Sequence, residues 1–229
     1  MKLLPWDSEL FGRSIARLEE WDPHWRQSAE AAGVECLYFL ARASDQASVW
    51  AAEQAGFRMV DIRITLERTL ADAPTSVDPR LRLARPEDAP TLERIAEVSH
   101  RDTRFYADEH FDRARVDELY RTWIRKSCTG EAPFSWVVDR GGALVGYATG
   151  HQDGRIGLVA VSPEARGEGL GTALVEAVLS SLGAAGVPKA SVVTQGRNLA
   201  GQRLYQHCRF VTAQVELWFH RWLEDRDPG

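Results

Sequence analysis

The sequence has little cysteine, no block of basic residues and no long apolar run. Cys36, Cys128 and Cys208 stand far apart in 229 residues and form no CxxC pair. That spacing argues against a disulfide framework and against a structural zinc site, so no metal is expected. Small buried thiols in a reducing compartment are the expectation instead. With a formal net charge of -5 and no Lys/Arg cluster, neither nucleic acid nor a membrane surface is an expected partner. An anionic ligand would need a local site. No stretch approaches the roughly 20 apolar residues of a membrane helix. The opening MKLLPWDSELFGRS lacks the basic-then-apolar order of a signal peptide, and a cytoplasmic location is expected.

What is present is a globular composition, 44% hydrophobic and 27% charged, in a chain long enough for one large domain or two small ones. A boundary is expected at LADAPTSVDPRL (70–81), with two prolines and small polar residues. Before it, Asp22-Pro23 opens a helix that Gly33 stops, and ECLYFLAR (35–42) reads as a strand. Asp45 caps a second helix, ended by Gly56. MVDIRITLER (59–68) alternates, with Val60, Ile62, Ile64 and Leu66 on one side and Asp61, Arg63, Thr65 and Glu67 on a wet one. After the boundary come a short strand at 81–84, a helix from Pro86 to about Ser99 and a second capped by Asp112. Three strands joined by glycine turns then form an antiparallel meander, FSWVVD, ALVGYATGH and RIGLVAVS. A long helix, the strand KASVVTQ (189–195), a helix from Asn198 and a strand over 210–222 complete a mixed α/β pattern.

An internal repeat links the two parts. Residues 37–68 align without a gap on residues 190–221, so that Asp45 falls on Asn198, Phe57 on Phe210 and Ala52 on Tyr205. The N-terminal copy is read as truncated.

ARGEGLGTAL (165–174) places three glycines where the long helix begins. Bare backbone there either loosens a helix start or lets an anion approach the N–H groups and the positive helix end. No Gly-Lys-Ser/Thr follows, so it is not a Walker loop, and the preceding meander is not a Rossmann unit.

Arg166-Gly167-Glu168-Gly169-Leu170-Gly171 fits the R/Q-x-x-G-x-G/A signature, with Asn198 opening the next helix and Tyr205 seven residues on. In these features residues 80–222 resemble the GNAT superfamily of acyl-CoA-dependent N-acyltransferases. The resemblance implies a GNAT domain (79–224), largely antiparallel and flanked by helices, after a truncated GNAT-like half-domain (1–75). It implies acetyl-CoA along Leu158, Val159, Ala160 and Val161, with its pyrophosphate on Arg166, Gly167, Glu168, Gly169, Leu170, Gly171 and Thr172. Asn198 would cap its helix, meet the pantetheine, or both. Tyr205 would be the general acid, a backbone N–H near Ala160 the oxyanion donor. The N-terminal copy, lacking loop and tyrosine, would bind no cofactor and would serve as packing support or part of a homodimer interface.

PWDSELFG, TRFYADEHFDRARVDELYRTWI and the truncated copy are similar to the TDP-fucosamine N-acetyltransferases, which acetylate the 4-amino group of a TDP-linked deoxysugar. A nucleotide amino sugar is then the implied acceptor. Arg101 and Arg104 would meet its diphosphate, Phe105 and Tyr106 its base or sugar. Another amine (an aminoglycoside, a polyamine or a protein N-terminus) and a non-catalytic acyl-CoA sensor are the alternatives. RIGLVAVS carries no glutamate, so no general base is assigned; His100, His110, His151, Glu109 and a water chain are the candidates.

Overall fold

The computed structural model describes residues 1–224. In chain order they form β1 (Lys2–Leu3), α1 (Pro5–Phe11), β2 (Ile15–Leu18), α2 (Trp25–Ala31), β3 (Cys36–Arg42), α3 (Gln46–Gln54) and β4 (Arg58–Thr69). There follow β5 (Leu81–Leu83), α4 (Ala89–Ser99), α5 (Arg104–Ala107), α6 (Arg113–Lys126), β6 (Trp136–Arg140), β7 (Ala143–Gly150) and β8 (Arg155–Val161). Last come α7 (Leu170–Ala184), β9 (Lys189–Gln195), α8 (Leu199–His207) and β10 (Val211–Trp222). The strands make one mixed, mostly antiparallel sheet of ten, ordered β1-β2-β3-β10-β4-β9-β8-β7-β6-β5.

Local chemistry accounts for most of these elements. The Asp112 carboxylate accepts from the backbone N–H groups of Ala114 and Arg115, an N-cap that contributes about 1 kcal/mol to α6. Asp22 differs from expectation. Its carboxylate accepts from His24 N at 2.8 Å in a turn, and α2 starts only at Trp25. The elements β1, α1 and β2 have no clear sequence signal. They run two, seven and four residues, too short to display a period, and Phe11 is the buried residue of α1.

The sheet continues across the boundary expected at 70–81, which divides the chain but not its hydrogen bonds. β4 lies between β10 and β9, and β10 lies between β3 and β4. All seven β3–β10 pairs map onto the seven β9–β4 pairs under the repeat offset. Arg42↔Glu216 becomes Gln195↔Arg63, and Cys36↔Trp222 becomes Lys189↔Thr69. Arg63 and Glu216, themselves 153 residues apart, face each other at the local two-fold axis and form an ion pair there. The final strand of each copy therefore pairs with the first strand of the other.

β4 corrects the sequence reading of a strand with one wet face. With neighbours on both edges and helices over the sheet, that face is wet only in part: Asp61 is buried, while Glu67 stays near the surface on Lys189. Its apolar residues face α7 and α8: Leu66 and Ile64 pack with Leu174, Val178 and Tyr205. Asp61 instead stands opposite Trp218, on the face covered by α4, α5 and α6 and packed around Tyr38, Phe105, Leu119 and Tyr147.

Candidate active site

β8 and β9 are parallel neighbours only at Arg155↔Ser191 and Ile156↔Val192, although β8 continues to Val161 and β9 to Gln195. Beyond Ile156 the two strands part. On the other side β8 stays bound to β7, where Leu158 N donates to Thr149 Oγ1 and Ser162 N to Val145 O, both at 2.8 Å. Strand alternation then turns the N–H groups of Val159 and Val161 into the gap and that of Ala160 toward Tyr147. Of the strand residues beside Ala160, where an oxyanion donor is expected, Val159 and Val161 turn their N–H groups toward the gap.

The gap opens into a cleft of about 730 Å³ that crosses the sheet. Leu158, Val159, Asn198, Tyr205, Arg104 and Phe105, all expected site residues, line it. Tyr205 comes from α8, whose N-cap is Asn198: the side-chain Oδ1 accepts from Gly201 N at 2.9 Å, and Nδ2 donates to Thr194 Oγ1 at 3.1 Å. Burial pushes the Tyr205 hydroxyl well above its ordinary range, so it carries its proton at neutral pH.

The glycine-rich loop follows β8. Gly167 and Gly169 have φ of +84° and +75°, a region that side chains disfavour, and a Cβ built at either meets nothing within 4 Å. The loop surface is thus open, and α7 begins at Leu170 with no side-chain cap on Gly169, its first amides left to a ligand or water. Leu170 is buried, while a Cβ at Gly171 would crowd Leu204 at 3.3 Å. Arg166 Nε donates to Val161 O at 3.2 Å and Glu168 pairs with Arg140. Thr172 and Gly169 border a second hollow of about 270 Å³ with Ser76, Arg80 and His207.

Across the cleft, the Arg104 guanidinium sits 4.1–4.2 Å from the ring centres of Tyr38, Phe105 and Trp218. Its Nη1 donates to His220 Nε2 at 2.9 Å. Arginine only donates, so Nε2 accepts and the His220 proton is on Nδ1, which donates to Asp108 Oδ2 at 2.6 Å. Trp222 Nε1 donates to the same oxygen at 2.9 Å. Burial lowers His220 to about 4, and His220 and Trp222 hold Asp108 well below the ordinary carboxylate range despite its burial. Arg101 and Tyr106 are not among the cleft-lining residues. Arg101 lies 4.8 Å from the Tyr106 ring centre and 3.4 Å from Asp117, to which the Tyr106 hydroxyl also donates.

The base candidates separate in the same way. His100 lines the cleft half-buried, is lowered by desolvation to about 4, and is bonded through Nε2 to the Tyr147 hydroxyl at 2.8 Å. His151 also lines it, with Nδ1 donating to Glu131 O at 3.0 Å. His110 is held on Asp108, and exposed Glu109 stands 3.6 Å from Arg58. Sequence reasoning missed Asp61 and Trp218 in the cleft wall and His220 behind Arg104. Polar alternation in 59–68 was the available signal for Asp61; none pointed to the His220–Asp108 pair, which lies 112 residues apart in the chain.

The parted parallel strands, the glycine loop and the tyrosine-bearing helix match a known architecture, and the acetyltransferase (GNAT) family model matches residues 92–210, just over half of the chain. The chain belongs to the acetyltransferase (GNAT) family. Among curated relatives of this chain, the spore coat polysaccharide biosynthesis protein SpsD of Bacillus subtilis is 26% identical over 60% of this chain and 48% of its own. Mycothiol acetyltransferase of Streptomyces griseus is 34% identical over 37% of this chain and 29% of its own. The matched part thus spans less than half the length of these relatives. A GCN5-related N-acetyltransferase from Sphaerobacter thermophilus superposes with TM-score 0.63 at 20% identity, covering 90% of this chain and 66% of that one. A tandem GNAT protein from the clavulanic acid biosynthesis pathway superposes with TM-score 0.57 at 16% identity, covering 94% and 77%. These two show the shared fold. Among the described residues no helix is long and apolar enough to cross a membrane, and the three cysteines are buried.

Proposed function

We propose that this GNAT acetyltransferase moves an acetyl group from acetyl-CoA to the amino group of a nucleotide-linked amino sugar of the TDP-4-amino-4,6-dideoxyhexose type. The observation that carries the acyl-transfer reading is one cleft holding both the β8–β9 gap and Tyr205. The residues present fit the donor: open glycine backbone and uncapped amides suit a pyrophosphate, and the free β8 edge suits an extended amide chain. Arg166, Gly167, Gly169, Leu170, Gly171 and Thr172 would hold the phosphates, and Leu158, Val159, Val161 and Asn198 the pantetheine arm. When bound, acetyl-CoA supplies an activated thioester carbonyl.

The chain's own groups do the rest. The Val159 N–H offers a hydrogen bond to the oxygen that becomes negative during attack. Tyr205 gives the departing sulfur a proton. Full transfer from so weak an acid to a thiolate is uphill, so the phenol acts as charge develops and regains a proton from the attacking nitrogen. Arg104, fixed by three rings and His220, offers its remaining donors to an anionic part of the acceptor. The SpsD similarity supports a sugar acceptor. Carboxylates at Asp61, Asp102 and Glu131 in the same cleft favour the second reading, a polycationic amine such as a polyamine or an aminoglycoside.

Thiol release from acetyl-CoA, measured against TDP-4-amino-4,6-dideoxyhexoses, spermidine and kanamycin, tests the proposal. Turnover of the sugar nucleotide alone is expected. Turnover of spermidine or kanamycin alone would keep the transferase and discard the sugar.

A further inference from the structure

The acceptor side of the cleft is partly built by the N-terminal copy. β4 crosses into the sheet beside β9 and carries Asp61 to the cleft wall, opposite Trp218, with 3% of the residue exposed. A carboxylate so enclosed is normally held by a bidentate arginine. Asp61 is not. Its Oδ1 accepts from the Ile62 N–H at 2.9 Å, and the nearest Arg197 nitrogen, Nε, stands 3.8 Å away while Arg197 Nη2 donates to Val60 O at 2.6 Å. Arg104 donates through Nη1 to His220. The other charged or titratable groups sharing this part of the cleft are Arg63 on β4, His100 just after α4, Asp102 before α5 and Tyr120 on α6. Burial outweighs Arg197, the Ile62 amide and Arg104 and raises the Asp61 carboxyl to about 6.

We propose that Asp61 is the proton acceptor for the substrate amine, receiving its ammonium form in the cleft and taking the proton that frees the nitrogen lone pair. This rests on the amine-acetyltransferase reading above. The balance is complete: one N–H proton passes to the carboxylate, and the neutral nitrogen forms the N–C bond to the thioester carbonyl. The C–S bond breaks, and the sulfur takes a proton from Tyr205. The second N–H proton returns to Tyr205, and Asp61 releases its own to water. A base near 6 is ionised at neutral pH and basic enough to accept a proton. Supplied by β4, it gives the cofactor-free copy a share in catalysis.

The test compares wild type, Asp61→Asn and His151→Gln with the three amines named above. In the wild type kcat/KM should fall as the pH drops below about 6. Asp61→Asn should lose that acid limb, run roughly 100-fold slower at pH 7 and recover toward high pH as solvent supplies free amine. His151→Gln should keep the limb. A second readout needs no acetyl donor: amine binding at pH 6, by calorimetry in two buffers of different ionisation enthalpy, should release protons from wild type and not from Asp61→Asn. A pH-independent loss in Asp61→Asn, or a limb that disappears only with His151→Gln, overturns the assignment. Turnover restricted to spermidine or kanamycin, with the limb still governed by Asp61, discards the sugar and keeps the base. No turnover of any amine together with no proton release overturns both.

Discussion

The two copies of the repeat share a backbone and differ in chemistry. Asp45 and Asn198 occupy one position, and each caps its helix by accepting from the N–H three residues on, Ser48 and Gly201. Phe57 N bonds Ala52 O as Phe210 N bonds Tyr205 O. Both helices end on a left-handed residue, Gly56 at φ +74° and its counterpart Arg209 at +62°. Yet the fully buried Ala52 stands where Tyr205 reaches the cleft. Between β2 and α2 the chain carries Glu19, Glu20 and Asp22 where the other copy has its glycine loop. Carboxylates repel a pyrophosphate. A duplicated scaffold has thus kept what holds a strand–helix–strand unit together, and only the second copy carries the glycine loop and the tyrosine. We propose that the N-terminal copy binds no acetyl-CoA and contributes β4 instead.

The sharpest break of this comparison is at Tyr205. Tyr205→Phe should lower kcat by roughly 100-fold or more with acetyl-CoA affinity unchanged, as steady-state kinetics and calorimetry would show. Its mirror, Ala52→Tyr, should add no activity and lose about 1–3 kcal/mol in denaturant unfolding, because the site has no room.

Glycine separates the copies next. Gly169→Leu and Gly56→Leu both force a side chain into left-handed backbone, φ +75° and +74°, a strain of about 1–2 kcal/mol each. Only Gly169→Leu should also weaken acetyl-CoA, by at least about tenfold or 1.4 kcal/mol. Equal losses in binding, or more than one acetyl-CoA per chain, would show that the N-terminal copy binds too.

pH probes His220, whose counterpart in the first copy is Glu67, ion-paired to Lys189 near the surface. His220 and His100 are both lowered to about 4, so the folded state binds fewer protons than the unfolded chain between about 6.5 and 4. Their contribution is fully present above about 6.5 and lost as the pH falls toward 4. Melting temperature should fall across that window, less so in His220→Gln. Glu67→Gln should change stability by at most about 1 kcal/mol.

The smallest effect is at Arg209. Gly56→Arg should cost about 1 kcal/mol. Arg209→Gly relieves a similar strain but loses the exposed Asp72 pair and adds backbone freedom to the unfolded chain, leaving a gain of about 0.5 kcal/mol or less.

The meander, the glycine loop before a long helix, the Asn198 cap and Tyr205 were legible in the sequence because each is set by neighbours within a few residues. A turn, a cap and a helical period are local, and the repeat was legible because it is a comparison of the chain with itself. What the sequence could not reveal is which strands meet. β4 reads as a strand with one wet face, and only its seat between β10 and β9 buries Asp61 and aims it into the cleft. Arg101, Arg104, Phe105 and Tyr106 look alike as a charged aromatic stretch. Tertiary packing draws Arg104 onto His220 and leaves Arg101 on Asp117. The sequence by itself determined the local elements and the open backbone of the loop, because sterics and hydrogen bonding act over a turn. The gap between β8 and β9, the exchanged strands and the environment of Asp61 were decided by long-range pairing and burial, which no short stretch of chain contains.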